Sequence, residues 1–369
     1  MLNNKKKLQK YFKLAAYKIF KMIYGEVQEK TSHLDNEDIN LQKVKIEDSS
    51  YDVYVCNNCS YYTDRIHNTA LINNNKIVDG PSFQLRKNFN VDCLKNSIIE
   101  NGTPRFRRKL KGKVLTLLTG GGGNTNYWHW LFDVLPRLKI YKDANLNLEE
   151  IDYFLLPSLE SNFQNETLDL LNIDKRKRLS SKNFRHLSAD SIIVTSHPYA
   201  LLNDPDVDSL NIPQWLFHFL KNSFLKRCLE RTKIKDFKKK IYINRKDGTS
   251  LRYLINENEV EHFLDKEGFT SIKLSDHSFS DQVAIFYNSE QVVGLHGAGF
   301  ANTIFCKEGT KVIEMRSDTT GDVIKNLVKS NNLKYYDITV KPKTINHNNQ
   351  LGDIKIDLNI LKNKLSDNN

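Results

Sequence analysis

Residues 291–315 run QVVGLHGAGFANTIFCKEGTKVIEM, and their pattern decides the fold. The apolar runs at 291–295 and 311–315 are short, rich in β-branched side chains and bounded by turn residues, which predicts buried strands. Between them, HGAG (296–299) opens a helical stretch near 299–305. A strand, a glycine turn, a helix and a second strand make the repeating unit of a parallel α/β sheet. Upstream, IYINR (241–245) and TSIKL (270–274) predict two more strands, separated by INENEVEHFLDKEG (255–268). That separator has the grammar of a helix: Asn256 at the N-cap, Glu259 three residues on, Ile255 and Val260 as a hydrophobic staple, and Gly268 as terminator. Ser278 with Asp281 caps the next helix, and a helix near 321–330 and a strand at 334–340 follow. The expectation is a Rossmann-like domain over 235–345, then a C-terminal helix and tail over 350–369 with the helix at 353–364.

The N-terminal half repeats the alternation more weakly. KVLTLL (113–118), DYFLLP (152–157) and SIIVTS (191–196) predict strands, 127–142 and 163–171 predict helices, and residues 45–105 hold short β-like runs. These group as one α/β domain over 45–215, with 203–240 as the crossing into the next domain. A chain of 369 residues is long enough for two domains.

A formal charge of +11 suits an anionic partner, but the lysines travel with asparagine and isoleucine in a way that biased codon usage also produces. Five cysteines, at 56, 59, 93, 228 and 306, form no disulfide framework, and a reducing compartment is the simpler reading. Cys56 and Cys59 read as two small buried residues, with a redox or zinc CxxC as the alternative. Sequons at Asn58, Asn101 and Asn165 follow no secretory signal. Residues 1–30 predict a basic amphipathic helix: Lys6, Lys10, Lys13 and Lys21 share one face, and Leu8, Phe12, Ala15, Ile19, Met22 and Ile23 the other. This pattern fits a helix lying in an anionic membrane surface, and equally a helix docked on the body of the protein with its lysines in water.

Ligands of open α/β sheets bind beyond the carboxyl ends of the strands. In the second half that rule selects Arg245, then His296, Gly297, Ala298 and Gly299, and then Glu314. The glycines let a backbone approach closely, the helix start near Gly299 offers N–H groups to a phosphate, Glu314 offers acceptors to a ribose diol, and Arg245 and Arg252 neutralise a diphosphate. Together they describe a nucleotide-diphosphate site. Taken singly, each has a plainer reading as a packed turn, a solvated arginine or a core histidine. In the first half, Gly120–Gly123 of LTGGGGNTNYWHWLFDVLPRLKI (118–140) also lie between a strand and a helix, and on that helix His129, Asp133 and Arg137 recur every four residues. An aspartate that fixes an imidazole equips a general base. A buried His–Asp bond beside Pro136, with a structural role alone, fits the same spacing.

Other chemistries lack their residues. No GK[ST] follows the glycines and no GxSxG occurs. The DxD-like runs 204–206 and 206–208 sit in a proline-containing loop rather than at a strand end, so no metal is expected, and no nucleic-acid motif is present.

Three ordered blocks, NYWHWLFDVLPRL (126–138), INRKDGTSLRYLINENEV (243–260) and VVGLHGAGFANTIFCKEGTKVIEM (292–315), resemble the glycosyltransferase family 61, whose bacterial members are often labelled capsular polysaccharide biosynthesis proteins. The resemblance spans residues 112–316. It implies an α/β protein of GT-B architecture, two Rossmann-like domains facing across a cleft, with inverting transfer from a nucleotide sugar and neither cofactor nor obligatory metal. It implies catalytic roles for His129 and Asp133 with Asn126 in support. It places Arg245, Arg252, His296, Gly297, Ala298, Gly299, Asn302 and Glu314 at the donor, with Asn256 and Glu257 beside them. The chain departs from the pattern at Asn244, where serine is common, and at Leu251, where another arginine often precedes Arg252. The resulting expectation is a cytoplasmic enzyme, peripheral on the inner face of the plasma membrane, that moves a sugar from a UDP-linked donor. Its acceptor would be a growing cell-surface or capsular polysaccharide or its lipid-linked precursor. A polysaccharide pyruvyl transferase of similar fold, or a catalytically silent sugar-nucleotide-binding assembly subunit, fits the same residues.

Overall fold

Val114 and Leu115 are adjacent and fully buried, as are Val292 and Val293. Adjacent residues on a strand point to opposite faces, so both strands are covered on both sides, as in a helix-flanked parallel sheet. These observations come from a computed structural model, which describes residues 2–64, 68–84, 92–118, 125–200, 204–246, 252–343 and 352–367. Its contacts divide the chain into two units: residues 1–161 with 172–198, and residues 162–171 with 199–369.

The first unit is built on a six-stranded sheet of β1 (Ile39–Ile46), β2 (Ser49–Asn57), β3 (Lys113–Thr116), β4 (Tyr153–Leu156), β5 (Arg178–Ser180) and β6 (Ser191–Thr195), in the order β5-β4-β3-β6-β2-β1. Strands β3 to β6 are parallel; β2 runs antiparallel to β6, and β1 antiparallel to β2. The chain moves outward from β3 to β5 and then returns to the other side of β3, which makes the β3/β6 boundary a topological switch point. The Rossmann-like expectation therefore holds for four strands only. The weak β runs over 45–105 supply β2 and most of a second sheet, whose Tyr61, Leu71 and Leu187 pack on Val114, Leu155 and Ile192, while β1 lies almost wholly before them. After β2, Asn58 takes a left-handed φ of 54°, and the turn brings Cys56 and Cys59 to a Cα separation of 6.0 Å, joined as a disulfide. That corrects the expectation of two separate thiols; Cys93, Cys228 and Cys306 are free and buried.

The second unit holds β7 (Lys240–Ile243), β8 (Thr270–Ile272), β9 (Gln291–Leu295), β10 (Lys311–Ser317) and β11 (Lys334–Val340), all parallel, in the order β8-β7-β9-β10-β11. Its switch point lies between β7 and β9. Gly268, at φ 83°, ends the helix Glu257–Lys266, and Ser278 Oγ accepts from the Asp281 N–H at 3.1 Å, both as the sequence predicts. Asn256 differs. Its side chain makes no cap but donates to Ile356 O at 2.9 Å and accepts from Ile356 N at 3.0 Å, and Ile354 and Ile356 join the core of this unit. Ile255 is exposed, so the staple with buried Val260 does not form.

Two helices expected in or beside the first domain belong to the second unit. Asn162–Leu170 lies between β4 and β5 in sequence, yet Glu166 accepts from the backbone of Phe279 at 2.6 Å and of Ser280 at 2.9 Å. A carboxylate on the first N–H groups of the helix Phe279–Asn288 satisfies donors that have no partner within that helix. Gln214–Arg231, in the expected crossing, buries Trp215, Phe217 and Phe224 and is a core helix of this unit.

Candidate active site

In the first unit the polar cluster forms at the β3/β6 switch point. After β3 the chain passes Gly120–Gly123, which lie outside the described residues, and enters a helix capped by Asn126, whose side chain accepts from Trp128 N at 2.9 Å. The helix is α over Tyr127–His129, widens to a π turn over Trp130–Val134, and resumes as α over Arg137–Asp143. The uninterrupted α-helix expected over 127–142 gives way because Pro136 has no N–H to continue the ladder and its ring crowds the preceding turn. His129 and Asp133 still meet, Nδ1 to Oδ2 at 2.6 Å.

Asp133 is only 4% exposed, whereas the His129 side chain is 33% exposed. Burial alone would raise the Asp133 carboxyl. His129, through its charge and hydrogen bond, and then His197 outweigh that and hold it well below the usual carboxylate range. An ionised carboxylate only accepts, so Nδ1–H of His129 donates to it and Nε2 is the nitrogen left to take a proton. Arg137 is buried and fixes the helix in place, with Nε donating to Asp133 O at 3.0 Å and Nη1 to Thr195 O, the end of β6, at 2.7 Å. His197, two residues beyond β6, brings Nε2 to 3.8 Å from Asp133 Oδ2, longer than a direct hydrogen bond. Sequence reasoning passed over His197, although the strand-end rule that selected Arg245 selects it as well.

In the second unit the cluster forms at the β7/β9 switch point. Arg245, just past β7, donates from Nη1 to His296 O at 2.6 Å, and Arg252 donates from Nη1 to the same oxygen at 3.1 Å. Burial, and then the charge of Arg245, lower Arg252 to about 10, and its buried Nε has no partner among the described residues. A Cβ on Gly297 would lie 2.5 Å from Arg245 Nη1, so the glycine leaves room for the guanidinium beside the His296 carbonyl. A Cβ on Gly299 would meet Leu274 Cδ1 at 2.7 Å. Half-buried Ala298 opens a 3₁₀ helix, Ala298–Phe305, in which buried Asn302 donates to Gln282 Oε1 at 3.1 Å and Gly299 O at 3.3 Å. Glu257 Oε1 accepts from Arg245 N and from the Tyr242 hydroxyl, each at 3.3 Å.

Glu314 corrects an expectation. It is fully buried rather than open to a ribose, with one oxygen on His296 Nδ1 and the other accepting from the Tyr335 hydroxyl at 2.5 Å. Tyr335, on the next strand, carried no sequence signal for this role. Burial lowers the His296 pKa more than Glu314 raises it, so the imidazole is held neutral near pH 7. Asn256 turns to the Ile356 backbone instead of to this cluster. The DxD-like run has a local use: Asp204 caps the helix Pro205–Leu210 by accepting from Asp206 N at 3.0 Å.

The family model described as glycosyltransferase 61 matches residues 127–313, just over half of the chain. The chain belongs to the glycosyltransferase 61 family. No curated protein sequence matches it. As a family 61 glycosyltransferase it is an enzyme whose substrates are, in general terms, a sugar donor and a glycan acceptor. The matched span takes in His129, Asp133, Arg245, Arg252 and His296. The pyruvyl-transferase and silent-subunit readings give way to glycosyl transfer.

Proposed function

We propose that this family 61 enzyme is an inverting, metal-independent transferase using a UDP-linked sugar. Its acceptor is a growing cell-surface or capsular polysaccharide or the lipid-linked precursor of one. In this reading it works on the cytoplasmic side of the membrane in a GT-B arrangement, with the donor on the second unit and the acceptor on the first. The observation that carries the proposal is the convergence of Arg245 and Arg252 on one carbonyl oxygen at the β7/β9 switch point. The charge of Arg245 works against that of Arg252, and a diphosphate placed against the two guanidinium groups relieves that repulsion with charge-assisted hydrogen bonds. Negative charge grows on the diphosphate as the bond to the anomeric carbon breaks, so cations fixed there favour the transition state over the ground state.

On the first unit, His129 Nε2 takes the proton of the acceptor hydroxyl while that oxygen attacks the anomeric carbon. The new C–O bond forms as the bond to the diphosphate breaks, the configuration inverts, and Asp133 stabilises the imidazolium. His296, Glu314 and Tyr335 hold the shared carbonyl in place, and Glu257 holds the backbone of Arg245.

Thermal unfolding of the full chain with a panel of nucleoside diphosphates, with magnesium or with chelator, tests this. Ligand at a hundred times its Kd adds about 2.7 kcal/mol of stability. UDP is expected to shift the wild type with or without metal and to leave Arg245→Ala unshifted. A panel in which no diphosphate shifts the wild type sinks the donor site, and a shift seen only with magnesium sinks its metal independence.

A further inference from the structure

From Leu8 onward, the described side chains of helix α1 (Leu2–Tyr24) dock through its second half. Phe20 packs edge-on against Phe106 at 5.1 Å, the Tyr24 ring meets His186 at 5.0 Å, and the Tyr24 hydroxyl accepts from Arg107 N at 2.9 Å. Every residue from Leu8 to Ala15 is exposed. Along the whole helix, Leu8, Phe12, Ala15, Ile19, Met22 and Ile23 form one stripe at helical spacing, and the stripe is open to solvent: Phe12 is 69% and Met22 86% exposed. The docked rings lie on another side of the helix, so packing on the body of the unit leaves this stripe uncovered.

The charge around the stripe is of one sign. Residues 2–24 carry seven lysines and no acidic residue. The adjoining segment 105–111 adds exposed Arg105, Arg107, Arg108, Lys109 and Lys111, and Phe106, beside Phe20, is itself 78% exposed. Lys21 has Glu26 at 3.5 Å as a local counter-charge. A second copy of this chain seated on the stripe would set like charges against like. An anionic bilayer supplies both an apolar layer for the stripe and a negative surface potential for the lysines of the rest of the helix and the basic segment beside it. No described helix is long and apolar enough to cross a membrane, so attachment is in the plane of the interface.

We infer that α1 and the segment 105–111 form a binding face for an anionic lipid bilayer, with the apolar stripe of α1 and Phe106 inserted among the lipids. Flotation of the full chain with phosphatidylcholine vesicles, with and without phosphatidylglycerol, tests it. The anionic vesicles are expected to retain at least roughly tenfold more protein, with retention falling in high salt. Phe12→Asp with Met22→Asp, and separately Lys10→Glu with Lys13→Glu, are expected to abolish retention while thermal unfolding stays unchanged, because all four side chains are exposed. Equal retention on the two vesicle types, or full retention of both double variants, overturns the inference. So does sedimentation showing a dimer that Met22→Asp dissociates, which would assign the stripe to a second copy. The wild-type comparison needs no variant and decides the point even if a variant misfolds.

Discussion

Each unit places a histidine against a carboxylate at the switch point of its parallel sheet, and the two pairs are built differently. His129 and Asp133 sit four apart on one irregular helix; His296 follows the end of β9 and Glu314 lies in the middle of neighbouring β10, with Tyr335 closing the second carboxylate oxygen. The side chain of His129 is 33% exposed and that of His296 only 7%. In the first pair the depressed pKa belongs to the carboxylate, which stays ionised and supports a proton on the imidazole. In the second the lowered pKa belongs to the histidine, which stays neutral and orients the carbonyl that Arg245 and Arg252 share. The same two functional groups, imidazole and carboxylate, thus make an open pair suited to moving a proton and a sealed pair suited to holding geometry, and burial selects between them.

That contrast breaks most visibly at His129. His129→Ala is expected to lower kcat by roughly 10²–10⁴ with little change in Tm, as removal of a general base does. Activity within a few-fold of wild type would move the base elsewhere, His197 being the next group to substitute. Glu314→Ala should do the reverse. It strips the acceptor from both His296 and the Tyr335 hydroxyl, each costing about 1–3 kcal/mol when left buried and unpaired. Urea unfolding should therefore show a loss near 3 kcal/mol, and an unchanged midpoint would contradict the sealed pair. A smaller effect is expected of Gly297→Ala. The new methyl group pushes the tip of Arg245 off the His296 carbonyl, and a flexible side chain can give way. Nucleotide affinity should fall about tenfold, the size of one charge-assisted contact, with the stability almost unmoved. Equal loss of stability and affinity would show that the glycine serves packing alone.

The sheet of the second unit was legible because parallel strands buried on both faces leave uninterrupted apolar runs, and the strand-end rule then picked out Arg245 and His296 from sequence. The first unit was half legible. β3, β4 and β6 read as strands, but Asn162–Leu170 carries ordinary helix periodicity, and nothing local shows that Glu166 caps a helix more than a hundred residues away. Tertiary partners also overrode local grammar at Asn256, where the backbone of Ile356 competes with a cap for the same amide. Burial misled the reading of Glu314: a carboxylate near a strand end looks available from sequence, and only the packing of Tyr335 and His296 around it shows that it is not. Tyr335 and His197 could each be placed on a strand or at its end, but their role depends on which strands become neighbours.

The smallest effect tests the charge state on which the two-pair contrast rests. His296 has a folded pKa below its ordinary value, so below about pH 6.5 the unfolded chain binds a proton that the folded chain refuses, and stability falls with the pH. Asp133 acts in a different window: its depressed carboxyl adds stability that is complete above about pH 4 and lost on further acidification. His186, lowered to about 4 by burial, acts over the same range as His296, but it is common to wild type and variant and cancels in their difference. His296→Gln keeps an N–H for Glu314 and removes the titration. Between about pH 7 and pH 5.5 the wild type should therefore lose on the order of 1 kcal/mol more unfolding free energy than the variant. Parallel curves would mean that His296 takes up its proton inside the fold. The second pair would then be a buried ion pair, and exposure would no longer be what separates it from the first.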